Sequence, residues 1–117
     1  MPYVDGFVLA VPKDNIATYK KMARRAGKVW MEHGALSYVE CLADDAPYGE
    51  VTSFPRSVKA KDDELVVFAY VTYRSRASRD AVLKKVFADP RMKGDMSNMP
   101  FDAKRMIYGG FKSFLEL

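Results

Sequence analysis

Little in this chain suits redox chemistry or a metal site. Its 117 residues include one cysteine, Cys41, and one histidine, His33. One cysteine cannot close an internal disulfide, which fits a reducing compartment, so a cytoplasmic location is expected. Neither residue stands in a C-x-x-C or H-x-x-x-H spacing, and no metal and no cofactor are expected. Met92, Met96 and Met99 recur at helical spacing. Without flanking cysteine or histidine they read as packing residues of a short extra helix and not as a Cu(I) set. There is no glycine-rich phosphate loop, because "YGGF" at 108–111 lies inside a strand pattern and no helix follows it. The longest apolar run, Val66–Val71, is far too short to span a bilayer. The opening "MPYVDGFVLAV" lacks the basic flank and long apolar core of a secretory signal, so none is expected.

What is present suits one folded domain over 1–117. Hydrophobic residues make up 49% and charged residues 29%, a balance that excludes disorder and supports a real core. The net charge is +4. Bases gather in "YKKMARRAGKVW" and "YRSRASRD", and acids in "ADD", "KDDE" and "FADP". Segregated charge can attract anions, but it reads first as solvated helix faces.

The elements follow from pattern. Tyr3–Val11 is rich in aromatic and β-branched residues and stops at Pro12, a first strand. Asp14 is placed to cap a helix on which Ile16, Tyr19, Met22, Ala23, Ala26 and Trp30 share one face. Lys20, Lys21, Arg24, Arg25 and Lys28 fill the other face, and His33 followed by Gly34 ends the helix. Strands are expected over Ala35–Ala43, Glu64–Tyr73 and Lys104 to about Phe114. Ser75 caps a second helix with Ala77, Ala81, Val82, Val86 and Phe87 inward, ended by Asp89-Pro90. The Gly109-Gly110 pair suggests a bulge or a close backbone approach. The order βαββαβ implies an α+β, ferredoxin-like sandwich: a four-stranded antiparallel sheet with both helices on one face. The connection from Asp44 to Asp63 is long, roughly twenty residues, and its Val51, Phe54 and Val58 suggest an ordered segment.

Alternation sorts the strands into two faces. Val4, Gly6, Val8, Ala10, Val39, Cys41, Ala43, Leu65, Val67, Ala69 and Val71 are expected under the helices. Tyr3, Asp5, Phe7, Leu9, Tyr38, Glu40, Leu42, Phe68, Tyr70 and Thr72 are expected on an open face. So apolar a face requires cover, from a second copy, a ligand or nucleic acid. "FAYVTY" at 68–73 matches the last six positions of an RNA-recognition signature, but Val66-Val67 replaces its Lys/Arg-Gly start. Carboxylates on the same face also argue against nucleic acid.

Asp5, Tyr38 and Glu40 are the candidate catalytic groups. Asp5 and Glu40 lie on strands separated by a third, about 9–10 Å apart laterally, which argues against a shared-proton dyad within one chain. Each could act alone in its aromatic surround, or pair with Arg105 or Arg56 as a structural carboxylate. Tyr38, Glu40 and Tyr70, with Arg56, Tyr108 and Arg105, are the candidate ligand-binding residues of a pocket between the sheet and the long loops. Cys41, facing the helices, reads as a small buried apolar residue. His33 reads as a helix-end cation or, less directly, a pocket base.

The stretches "YVDGFVLAVP", "HGALSYVEC", "TSFPRSVKAKDDELVVF" and "MPFDAKRMIYGGF" together resemble the uncharacterised YbaA-like family, domain of unknown function 1428, over nearly the whole chain. The resemblance implies membership of the dimeric α/β-barrel superfamily, hence a ferredoxin-like protomer whose sheet pairs with that of a second copy. Superfamily relatives include cofactor-free monooxygenases, haem-degrading enzymes and muconolactone-isomerase-like proteins, and others only bind or assemble. No catalytic residue carries over, and Asp5, Glu40, Arg56, Arg105 and Tyr108 are the polar groups in family-like segments. Haem is not expected, since His33 ends a helix. The expectation is a homodimer that binds or transforms a small, aromatic-type molecule, with a purely structural dimer as the alternative and no membrane partner.

Overall fold

The computed structural model describes residues 2–94 and 98–117. Strand β1 (Tyr3–Pro12) leads through a tight turn at Lys13–Asn15 into helix α1 (Ile16–Glu32). Strand β2 (Ser37–Leu42), a one-turn helix α2 (Phe54–Ser57), strand β3 (Glu64–Tyr73), helix α3 (Arg76–Ala88) and strand β4 (Ile107–Lys112) follow. The sheet has four antiparallel strands in the order β2-β3-β1-β4. Val29 of α1 and Val82 and Val86 of α3 bury together against Tyr3, Val71 and Tyr73, so both helices cover one face. This is the ferredoxin-like sandwich expected from element order.

Local signals explain most boundaries. Gly34, at φ +117°, takes the left-handed turn after α1 that other residues resist. Ser75 accepts the Ser78 N–H at 3.0 Å and caps α3. Asp14 does not cap α1: the turn at Lys13–Asn15 intervenes, and Asn15 takes the cap position without a side-chain cap bond. Asn15 Nδ2 instead donates to the Pro100 carbonyl at 3.0 Å, pinning the last connection to the start of the helix. β2 is shorter than expected at both ends. β4 starts later than expected, because Asp102 caps a turn at Ala103–Arg105 that removes Lys104 and Arg105 from the strand. Met92 packs on the core, while Met96 of the methionine triplet lies outside the described residues.

The two faces differ from the alternation reading in β1 and β2. Register pairs Tyr3 with Tyr73, Asp5 with Val71, Phe7 with Ala69 and Leu9 with Val67, and residues opposite one another share a face. It also pairs Tyr38 with Val71 and Glu40 with Ala69. Tyr3, Asp5, Phe7, Leu9, Tyr38 and Glu40 therefore lie under the helices with Leu65, Val67, Ala69 and Val71. Val4, Gly6, Val8, Ala10, Val39 and Cys41 lie on the open face with Phe68, Tyr70 and Thr72. The reason lies in the cross-strand pairs: Phe7 sits opposite Ala69 and Asp5 opposite Val71, so aromatic character does not mark one face across the strands. Gly109 and Gly110 keep an unbroken register with β1, so there is no bulge. The close approach holds, since a Cβ on Gly110 would lie 2.8 Å from Cε2 of Tyr3.

The long connection is ordered from its far end. Val58 is buried against Val8, Ala10 and Val66 and covers that end of the open face. Arg105 grips Glu64 with both prongs, at 2.8 and 2.7 Å, and also bonds the Lys59 carbonyl at 2.8 Å. Those guanidinium hydrogen bonds hold the Glu64 carboxyl at about 2, below the usual carboxylate range. A depressed folded-state pKa adds stability that is complete above the unfolded value, near 4.3, and is lost as pH falls toward the folded value. Glu64→Gln should therefore lower stability by about 1–3 kcal/mol at neutral pH and by much less near pH 2. Urea unfolding across that range checks this, and equal losses at both ends would contradict it.

Candidate functional site

A concavity of about 840 Å³ forms a groove between α1 and the edge strand β2. Its floor comprises Ala23, Gly27, Tyr38, Leu42 and Val67, and Lys20, Arg24, Lys28 and Met31 line it from α1. The four-residue spacing of the three cations puts them in one row along the helix. None of them joins an ion pair among the described residues.

Glu40 is the polar centre of this groove. Tyr19 of α1 donates its hydroxyl to Glu40 Oε1, and Tyr38 donates to Oε2 at 2.8 Å. Burial, reinforced by the adjacent carboxylate, pushes both phenols well above the usual tyrosine range. Both therefore stay neutral donors, and Glu40 has no cation partner among the described residues. Each carboxylate oxygen keeps a further acceptor site. The groove thus combines a hydrogen-bond acceptor of negative charge, an apolar floor and a row of cations that no ion pair engages among the described residues. Aromatic packing fixes the parts: Tyr38 leans on Trp30 at 5.8 Å, and Tyr19 meets Phe101 edge-on at 5.7 Å.

The sequence-predicted residues are not gathered into one pocket. Tyr38 and Glu40 come together. Asp5 is buried beneath α3, with Arg79 Nη1 3.5 Å from its Oδ1 and the Tyr73 hydroxyl beside it. Burial raises its pKa, opposed by Tyr73 and the Arg79 charge. Its arginine partner is Arg79, and neither Arg105 nor Arg56 reaches it. Arg105 belongs to Glu64. Arg56 is held by the Tyr48 and Gly49 carbonyls and lies over the Tyr48 ring at 3.9 Å. Tyr70 stands on the open face, 6.2 Å from Phe68. Tyr108, exposed on β4, stacks on Phe7 at 6.4 Å. Cys41 is exposed on the open face and not buried under the helices. His33 Nε2 bonds Asp89 Oδ2 at 2.8 Å, which ties the end of α1 to the end of α3.

Among the described residues no group of three or more His, Cys, Asp or Glu side chains could hold a metal ion. No described helix is long and apolar enough to cross a membrane. Tyr19, Lys20, Arg24 and Lys28 join the site without a sequence signal of their own: helical spacing places Tyr19 on the core face and the cations in solvent, and what unites them is β2 lying under one side of α1. Gly27 was the available signal, because a glycine in a helix interior marks a close approach.

The fold and groove define an α+β, ferredoxin-like domain with a helix–edge-strand cleft. Residues 2–103 match the family described as "Protein of unknown function (DUF1428)". The chain belongs to that family. It is 52% identical over 116 residues to the "Uncharacterized protein YbaA" of Escherichia coli strain K12, covering 99% of both chains. The YbaA of Shigella flexneri matches to the same extent. Among solved structures, a dimeric ferredoxin-like protein from an uncultured marine organism aligns over 100% of both chains with a TM-score of 0.60 and 12% identity. That likeness concerns the fold.

A Cβ on Gly27 would sit 2.8 Å from Cδ1 of Tyr38. Alanine for glycine in an exposed helix interior normally gains up to about 1 kcal/mol. Here Gly27→Ala should instead destabilise by about 1–3 kcal/mol, because the Tyr38 ring cannot yield without leaving Glu40. A melting temperature equal to or above that of the parent would contradict the packing.

Proposed function

We propose that this protein binds a small molecule with an apolar body and an anionic end in the groove between α1 and β2. The observation that carries this reading is the Glu40 carboxylate, held by two neutral phenols in one groove with Lys20, Arg24 and Lys28, a row without ion pairs among the described residues. An aromatic acid fits: its anion meets the row, its ring lies on Val67, Leu42 and Tyr38, and a hydroxyl reaches Glu40. The protomers act as a homodimer joined through their open sheet faces, where Phe68, Ile107 and Phe111 otherwise meet water. The dimeric state of the marine ferredoxin-like neighbour is in keeping with this pairing.

Nucleic acid fits less well. Asp5 and Glu40 do not share the open face, so their charge is no argument there. The argument is instead that the cations of α1 and the stacking rings Phe68 and Tyr70 lie on opposite sides of the sheet, and one strand of RNA cannot use both. The purely structural dimer is the second reading, favoured by the open face alone.

Thermal shift separates the two readings. The probes are 4-hydroxybenzoate, 1-naphthoate and the quinone menadione at millimolar concentration. A ligand at a hundred times its Kd adds about 2.7 kcal/mol, a rise of several degrees. At least one of the two acids should stabilise the protein more than menadione does, and Arg24→Glu should abolish the rise. No shift with any probe would favour the structural dimer.

A further inference from the structure

The segment after β4, residues 113–117, carries Phe114, Leu115 and Leu117 almost wholly in water: Phe114 is 91% and Leu115 64% exposed. Three large apolar side chains in four positions, with no place in the protein's own core clusters, form a patch that calls for an outside surface. The segment leaves the end of β4 and is tied to the sheet at its first residue, and residues 113–117 lie outside any strand. Ser113 N–H donates to the Pro2 carbonyl at 3.1 Å, which carries the β1–β4 ladder one step past Lys112. In sequence Leu115 and Leu117 keep the two-residue step of Ile107, Gly109 and Phe111, which lie on the open face, so a strand prolonged through them against a partner would carry them onto that face.

Size says why the segment is needed. The α2 connection already covers the end of the open face at Val8, Ala10 and Val66. What remains spans four strands and about five residues, roughly 19 by 17 Å, or on the order of 300 Å² in projection. A stable interface takes about 800 Å² from each partner, so the uncovered face falls short even if side-chain relief doubles its area. Leu115 and Leu117 lengthen the same apolar surface beyond the sheet's own edge.

We infer that residues 113–117 of each protomer extend across the open sheet face of a second copy and supply the part of the dimer interface that the sheet alone lacks. This rests on the homodimer reading above. The occupant is a second copy of this chain, because the segment continues the face through which that dimer forms.

Sedimentation equilibrium of the full chain and of the Leu115→Asp/Leu117→Asp double variant tests it. The parent should have a mass near twice 13.2 kDa at micromolar concentration. The variant should dissociate at least tenfold more readily, with an unchanged circular dichroism spectrum, since neither leucine belongs to the core. A variant that dimerises as tightly as the parent overturns this inference and leaves the sheet-face dimer standing. A parent that is monomeric throughout overturns both, and Phe114 and its neighbours would then await a different protein or a lipid surface.

Discussion

The seating of α1 on the edge of the sheet governs the rest of this structure. Gly27 lets the Tyr38 ring lie against the helix backbone, and Glu40, two residues along β2, ties Tyr38 to Tyr19 of that helix. The result is a carboxylate bound between helix and strand by neutral hydroxyls. A half-buried anion without a cation is costly unless hydrogen bonds satisfy it, and two charge-assisted bonds do so here. The same contacts leave the cations of α1 unspent along the rim. Structure and chemistry at this groove therefore have one origin: the acid that holds the helix in place also gives the groove its polarity.

A second constraint is the phase of β1 against β3. Tyr3 opposite Tyr73 and Phe7 opposite Ala69 send the large rings of β1 under the helices, where Arg79 meets Tyr3 and Trp30 meets Tyr73 of β3. Trp30 Nε1 donates to the Tyr73 hydroxyl at 3.0 Å, and Arg79 reaches the Tyr3 hydroxyl at 3.1 Å and Asp5. Asp5 is spent in that buried network. The open face is left with Val4, Gly6, Val39 and the β3 rings, a shallower surface than one carrying Tyr3 and Phe7 would be.

Element order was legible because each helix and strand carries its own period. β3 was read to the residue, since Glu64–Tyr73 is an unbroken β-rich run between turn signals. Ser75 and Gly34 announced their caps through chemistry that works locally. The phase between strands was not legible. It depends on which cross-strand pairs fit, and no single strand contains that information. For the same reason alternation places Glu40 on the wrong face, and nothing in the sequence pattern pairs it with Tyr19. The partners of Asp5 and Arg105 are equally non-local: Arg79 lies on α3 and Glu64 at the start of β3, distant in sequence from the residues they hold.

The central claim is that Glu40 joins α1 to β2 through the hydroxyls of Tyr19 and Tyr38. A spectrophotometric titration of tyrosine ionisation, run beside circular dichroism, tests it most directly. Of the seven tyrosines, Tyr19, Tyr38 and Tyr73 are held above the usual range by their surroundings. They should stay unionised past pH ~10, where free tyrosine titrates, and ionise only as the fold opens. In Glu40→Gln, Tyr19 and Tyr38 should ionise at lower pH than in the parent. Seven tyrosines that titrate together and reversibly near pH ~10 in the folded protein would contradict the account.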